Sequence, residues 1–332
     1  MASQSNGLIL DRRAALMGAG AFATAGALGV RSARAAATLG ELCFLNLGGN
    51  KVMNVAADGT GLETLVTAGG SSAPDGIAYD PVGKHIYWST MGRADVNDGM
   101  VLRCDLDGKN VTPIVPAGGT FTAKQLKWEG RTKRLYWSDR EGMRVMRCNA
   151  DGTGLETLVQ TGDFTINKGE QNRWCVGVAV DVARGQIYWT QKGGDNAGVG
   201  VIRRAGIDVP KGQTPTNRTD IETLFAELPE PIDMDLDLVT RRLYWTDRGD
   251  NTVSCAPMEL NRGTNPARRT DREILVRGLK EAIGIYLDLP NQRMFYTSLG
   301  GEVGTAGMNG AGARMLLTGQ GSLTGITMIT AG

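Results

Sequence analysis

The chain has 332 residues, with 36 Lys and Arg against 35 Asp and Glu and a formal net charge of +1. A balance this close gives no whole-protein field that would gather nucleic acid or an anionic membrane surface. Glycine, at 47 residues, is about twice its ordinary share, while proline stands at only 11. This predicts a fold with many tight turns.

The first segment reads as a targeting sequence rather than as part of the fold. Arg12-Arg13 precede an Ala- and Gly-rich apolar run, Ala14 to Val30, and Ala33-Arg34-Ala35 fits a small-x-small cleavage site. Paired arginines ahead of such a run resemble a bacterial twin-arginine export signal. The run is about 17 residues, short and weakly apolar for a membrane anchor, which needs about 20. Residues 1–35 are therefore expected to be removed, leaving no membrane span, and the mature chain to be periplasmic or secreted.

No cofactor is evident, since the sequence has no GxGxxG after a strand, no P-loop, no CxxC and no HExxH. Five cysteines in an oxidising compartment leave at least one unpaired. Cys104 and Cys148 occupy one place in two repeats where another repeat has Val55. That equivalence predicts a small buried apolar position rather than half of a disulfide.

Internal repetition dominates the rest. Asp58-Gly-Thr-Gly-Leu-Glu-Thr-Leu-Val66 recurs unchanged at 151–159, with related turns at Asp107-Gly108 and Asn309-Gly310. An aromatic signature recurs as Ile86-Tyr87-Trp88-Ser89, Leu135-Tyr136-Trp137-Ser138, Ile187-Tyr188-Trp189-Thr190, Leu243-Tyr244-Trp245-Thr246 and Met294-Phe295-Tyr296-Thr297. A degenerate copy, Cys43-Phe44-Leu45-Asn46, aligns with Phe44 on Tyr87.

Each period holds four β-patterned runs divided by turn signals. In the second they are Gly76 to Tyr79, His85 to Ser89, Met100 to Asp105 and Val111 to Val115. Four short strands repeating at such a period describe the blade of a β-propeller. The first unit has three strands, Leu42 to Leu47, Lys51 to Ala56 and Glu63 to Val66, and the chain ends on an orphan strand, Leu323 to Ile329. Pairing that strand with the first unit closes the ring and removes both exposed edges. The prediction is all-β: one six-bladed propeller over 38–332, with blades near 41–70 plus 321–330, 74–118, 120–162, 173–229, 230–279 and 280–320.

The run Leu-Tyr-Trp-Thr-Asp at 243–247, with Asp-Gly turns behind it and Gly-initiated strands ahead, resembles the YWTD repeats of the low-density lipoprotein receptor family. The resemblance covers residues 40–330 and implies the same fold. Only the fifth blade has the whole motif; Ser138 replaces Thr in the third, and Thr90, Gln191 and Ser298 replace Asp elsewhere. The aromatic pairs read as packing between blades rather than as ligand platforms.

Propellers take ligands on the face that carries the blade-to-blade connections. Aligning the innermost strands places Gly76, Gln125, Gly177, Asp233, Gly284 and Gly325 at one position. Gln125 and Asp233 break a glycine rule near the axis, which is where function is expected. Asp75, Lys124, Trp174, Glu230 and Glu281 lie close in sequence to this position. Three enlarged connections, Thr90 to Gly99 with Arg93, Gly162 to Trp174 with Arg173, and Gln191 to Gly200 with Asp195, belong to the same face.

This set could bind a small polar molecule, a sugar or a peptide. It could also hold calcium or another divalent cation through oxygen ligands, or supply acid and base from Asp233, Asp75, Glu281 or Glu230, with Lys124, Arg173 or Gln125 at an oxyanion. A binding module acting as a monomer is the first reading and a hydrolase, lyase or isomerase the second. The gluconolactonase and regucalcin-like propellers, which hold a metal with carboxylates and amides, remain compatible with the second. His85, the only histidine, lies on the opposite side, which argues against a Ser-His-Asp triad or a streptogramin lyase-like site. Two insertions, Ala205 to Asp220 and Glu259 to Asp271, read as solvated loops on that opposite face.

Overall fold

Closure of the ring depends on the last strand, and the structure, a computed structural model describing residues 40–67, 73–93 and 95–330, shows it made. Leu323–Ile329 pairs antiparallel with Glu41–Asn46, with Phe44 opposite Ile326. The segment expected to be an export signal, residues 1–35, lies outside the described residues. Six four-stranded sheets form the blades. Their innermost strands are Leu323–Ile329, Pro74–Asp80, Ala123–Glu129, Cys175–Asp181, Pro231–Asp237 and Ala282–Asp288. Each packs against the next around the axis, and the sixth meets the first.

The repeated motif explains the joints between blades. Its tyrosine faces the following blade and its tryptophan the preceding one: Tyr87 packs with Trp137, and Trp88 with Cys43 and Leu45. Trp88, Trp137, Trp189 and Trp245 are fully buried, so each joint they occupy hides a large apolar surface. Strand pairing corrects the register of the degenerate copy. Trp88 opposes Ile77 and Phe44 opposes Ile326, so Phe44 holds the tryptophan place and Asn46 the place of the motif aspartate. A small apolar residue, Cys43, at the tyrosine place hides this from an alignment that seeks aromatics first.

The third and fourth motif residues serve the backbone. Every innermost strand carries a register shift near its start, as between Pro74 and Ile77, between Cys175 and Val178 and between Pro231 and Met234. A bulge of this kind leaves one N–H without a ladder partner. The motif hydroxyl takes it: Thr190 Oγ1 accepts from Gly177 N at 2.7 Å and donates to Ile232 O of the next blade at 2.7 Å. Ser89 does the same between Gly76 N and Lys124 O, and Thr246 between Asp233 N and Ile283 O. A buried N–H left unpaired costs about 1–3 kcal/mol, which is why this place is Ser or Thr in five blades, the first alone having Leu45. The motif aspartate holds the incoming connection, with Asp139 accepting from Phe121 N and Thr122 N, and Asp247 from Glu230 N.

Glycine at the bulge permits the next blade to approach. A Cβ on Gly284 would stand 2.6 Å from Thr324 O, and one on Gly325 2.6 Å from Asp75 O. At the outer rim the glycine of each Asp-Gly or Asn-Gly turn, at positive φ, meets a carbonyl of the preceding blade's outermost strand. Gly59 meets Leu316 O, Gly108 Leu65 O, Gly152 Ile114 O and Gly310 Leu275 O.

The two insertions, exposed over much of their length as expected, each send one buried arginine to do this same job. Arg218 Nη1 donates to Leu158 O at 2.7 Å, and Arg269 Nη1 to Leu224 O at 3.2 Å. Both guanidinium groups are buried, Arg269 lying 4.0 Å over the Phe225 ring. A charged head with five donors satisfies several carbonyls at once, so an arginine-rich polar loop can pack as tightly as a glycine turn. All five cysteines are free and buried, and Cys104, Cys148 and Val55 share the apolar role assigned to them.

Candidate functional site

The mouth of the axial channel is lined by the residue that precedes the glycine position in each innermost strand. These are Asp75, Lys124, Val176, Ile232, Ile283 and Thr324. Val176, Ile232 and Ile283 form a small buried apolar cluster. The other half is polar. Lys124 is ion-paired and hydrogen-bonded to Asp75, Gln125 Nε2 donates to Asp75 Oδ1 at 2.8 Å, and Thr324 Oγ1 donates to Pro74 O at 2.9 Å. Burial holds the Lys124 ammonium below the ordinary lysine pKa although Asp75 opposes the shift.

Gln125 and Asp233, which break the glycine rule together, do not meet. Asp233 Oδ1 accepts from Met234 N at 2.8 Å and Oδ2 from Ile285 N at 3.1 Å, and Lys127 Nζ crosses the channel to within 3.5 Å of Oδ1. Burial pushes the Asp233 carboxyl up to about 6, against the pull of Lys127 and the two amides. For Lys127 burial works the other way, but Asp233 and Asp235 outweigh it and hold its pKa above the ordinary lysine value. Lys127 is absent from the sequence-derived set. It sits two residues beyond Gln125, where the other blades have Ala78, Ala179, Asp235, Tyr286 and Thr327, so no rule of the repeat marks it.

Glu230 lies on the rim of the mouth and is engaged by cations. Lys192 Nζ is 2.7 Å from Glu230 Oε1 and 2.9 Å from Asp195, while Arg248 bridges Glu230 and Glu281 at 3.2 and 2.7 Å. The hydrogen bond from Lys192 holds Asp195 below the usual carboxylate range. Trp174 is flanked by Arg140 at 5.1 Å and Lys192 at 5.8 Å from its ring centre. Among the described residues, no three His, Cys, Asp or Glu side chains gather as a cation-holding group.

A cavity of about 770 Å³ lies off the axis, beyond the third blade. Its walls come from the enlarged connections: Asn97 from one, Asp163, Phe164, Asn167 and Arg173 from another, joined by Phe121 and Arg144 of the scaffold. Asp95 pairs with Lys168 at 3.1 Å and ties the two loops together, and Arg93 is exposed and paired with Asp98. Of the predicted residues only Arg173 lines this cavity. Length of connection was the available signal; Phe121, Phe164 and Arg144 carry no repeat-breaking mark.

Fold and motif together define a six-bladed β-propeller of YWTD type. No family model matches the chain. It is 38% identical over 289 residues, 84% of its length and 92% of the other's, to low-density lipoprotein receptor-related protein 1 of Pyricularia oryzae. The chain belongs to that family. It is also 33% identical over 276 residues, 80% of this chain, to the 3-hydroxyacyl-CoA dehydrogenase-like protein LAM1 of Cochliobolus heterostrophus, of whose length it spans 58%. Among solved structures, the nidogen/laminin complex matches with a TM-score of 0.64 at 21% identity, covering 87% of this chain and 97% of the other. The gluconolactonase of Xanthomonas campestris matches with a TM-score of 0.54 at 17% identity, covering 76% and 78%. At those identities the likeness is one of fold.

Proposed function

We propose that the chain is an exported, monomeric recognition module whose top face takes a small polar molecule, a sugar or a peptide. Export follows from the twin-arginine-like segment in residues 1–35. The observation that carries the binding reading is the convergence of enlarged connections on one sector of a rigid ring, around a cavity of about 770 Å³ with polar and aromatic walls. The state of the candidate acids supports binding over chemistry. Asp75 is engaged by Lys124 and Gln125, Glu230 by Lys192 and Arg248, and Glu281 by Arg248.

One observation favours a second reading, an enzyme of hydrolase, lyase or isomerase type with or without a divalent cation such as calcium. It is Asp233, a buried carboxyl pushed up to about 6 beside Lys127. A single experiment separates the two. The purified protein is assayed for bound metal and then incubated with a panel of sugars, sugar acids, lactones and short peptides, followed by NMR for both binding and turnover. Saturable binding without product is expected. Turnover abolished by Asp233→Asn, or stoichiometric bound metal that turnover requires, would establish the enzyme instead.

A further inference from the structure

The geometry points to the off-axis cavity as a site for a carboxylate-bearing sugar of the uronic acid class; this rests on reading the chain as a recognition module and goes further by naming the place and the ligand. Two guanidinium groups line it, those of Arg144 and Arg173. Arg144 commits its Nε to Asp139 at 2.9 Å, and Arg173 commits Nε to Glu170 and Nη1 to Thr161 O at 2.6 Å. Each guanidinium has five N–H donors, so donors remain on both for a planar anion, which arginine takes bidentately. Sugar hydroxyls suit the remaining wall, where Asn97 and Thr216 offer an amide and a hydroxyl and Gln160, its amide nitrogen committed to backbone carbonyls, offers its side-chain oxygen. Phe121 and Phe164, with ring centres 4.3 Å apart, supply an apolar surface for the C–H face of a pyranose.

The loop that forms the cavity is set before any ligand arrives. Asp163 and Asn167 close it on themselves, Asn167 N donating to Asp163 O at 2.7 Å and Asp163 N to Asn167 Oδ1 at 2.9 Å. Little ordering cost remains for binding. A peptide fits less well. Extended peptides bind by adding to an open strand edge, and beside this cavity that edge is taken, Gln160 N donating to Pro215 O at 3.0 Å.

The test titrates the full chain with sodium galacturonate, galactose, galactose 1-phosphate and an acidic dipeptide by calorimetry, with NMR to locate the site. Galacturonate is expected to bind at least tenfold more tightly than the other three. Arg173→Ala is expected to weaken galacturonate at least tenfold and leave galactose unchanged. Arg144→Lys, which keeps the charge but loses the planar fork, is expected to weaken it several-fold, with unchanged thermal unfolding showing that both variants fold. Equal affinity for galacturonate and galactose, tighter binding of the phosphate or the dipeptide, or indifference to both arginine substitutions would overturn the inference while leaving a recognition module with another ligand. Failure of every compound in this panel and the broader one would overturn both.

Discussion

The two halves of the axial mouth are built from equivalent positions of one repeat and hold opposite chemistry. Blades four to six close their half with Val176, Ile232 and Ile283, a dry cluster that needs no partner. Blades one to three use Thr324, Asp75 and Lys124, each of which must find a hydrogen bond or a counter-charge. The backbone beneath carries the same bulge in both, and a hydroxyl bridges to the next blade in five of the six, the first blade having Leu45 in its place. The side chain at this position is thus free of the fold's demands and can be varied for sealing or for polarity. Asp233 is the exception inside the dry half, a carboxylate held under the apolar cluster by backbone amides and Lys127.

The largest expected effect comes from breaking the polar half. Asp75→Ala leaves Lys124 buried without its counter-charge and Gln125 with only the longer bond to the backbone carbonyl of residue 75. Removing one partner of such a pair costs about 3–5 kcal/mol, to be read from urea unfolding. Asp75→Leu with Lys124→Met, which makes this half resemble the other, is expected to recover most of that loss. If the double variant is as unstable as the single one, the halves are not interchangeable and the polar side chains have a structural duty.

Next in size is the pH dependence set by Asp233. Its folded pKa of about 6 lies above the ordinary aspartate value. Below about pH 4 both states are protonated and nothing is lost. As pH rises from about 4 to about 6 the unfolded chain ionises first, so stability falls, by about 3 kcal/mol in all, and then levels off. Asp247, also pushed up to about 6 by burial and by Asp250, adds a slope of the same sign. Asp233→Asn is expected to remove its own share, seen as a flatter urea midpoint against pH than in the parent protein. An unchanged slope would mean that Lys127 keeps Asp233 ionised when folded.

The sequence revealed the ring more fully than the site, for a physical reason. Fold information is repeated six times, so the Tyr-Trp pair, the Ser or Thr that follows and the Asp-Gly turns are each seen against their own copies. The degenerate first copy shows the limit: with Cys43 at the tyrosine place, only strand pairing reveals that Phe44 stands for tryptophan. Departures from the repeat were legible too, but not their direction. Gln125 and Asp233 stand at one position of the repeat, yet one side chain turns back to Asp75 and the other meets Lys127 across the channel. The cavity beyond the third blade belongs to unrepeated loops, where nothing in the chain offers a comparison. One arginine in each insertion misled for the opposite reason, since Arg218 and Arg269 look solvated in sequence and are buried by carbonyls that sequence does not display.

The smallest effect sharpens the comparison from the dry side. Ile232→Val removes one methylene from a residue 4% exposed, and such a change costs about 0.5–1.5 kcal/mol. The Ile232 carbonyl still receives the Thr190 hydroxyl, so the joint between blades four and five is untouched. A loss in that range, with galacturonate affinity unchanged, assigns Ile232 to sealing the channel alone. A change in affinity would instead couple the dry half of the mouth to the cavity through the third and fourth blades, and the division of labour between the two halves would no longer hold.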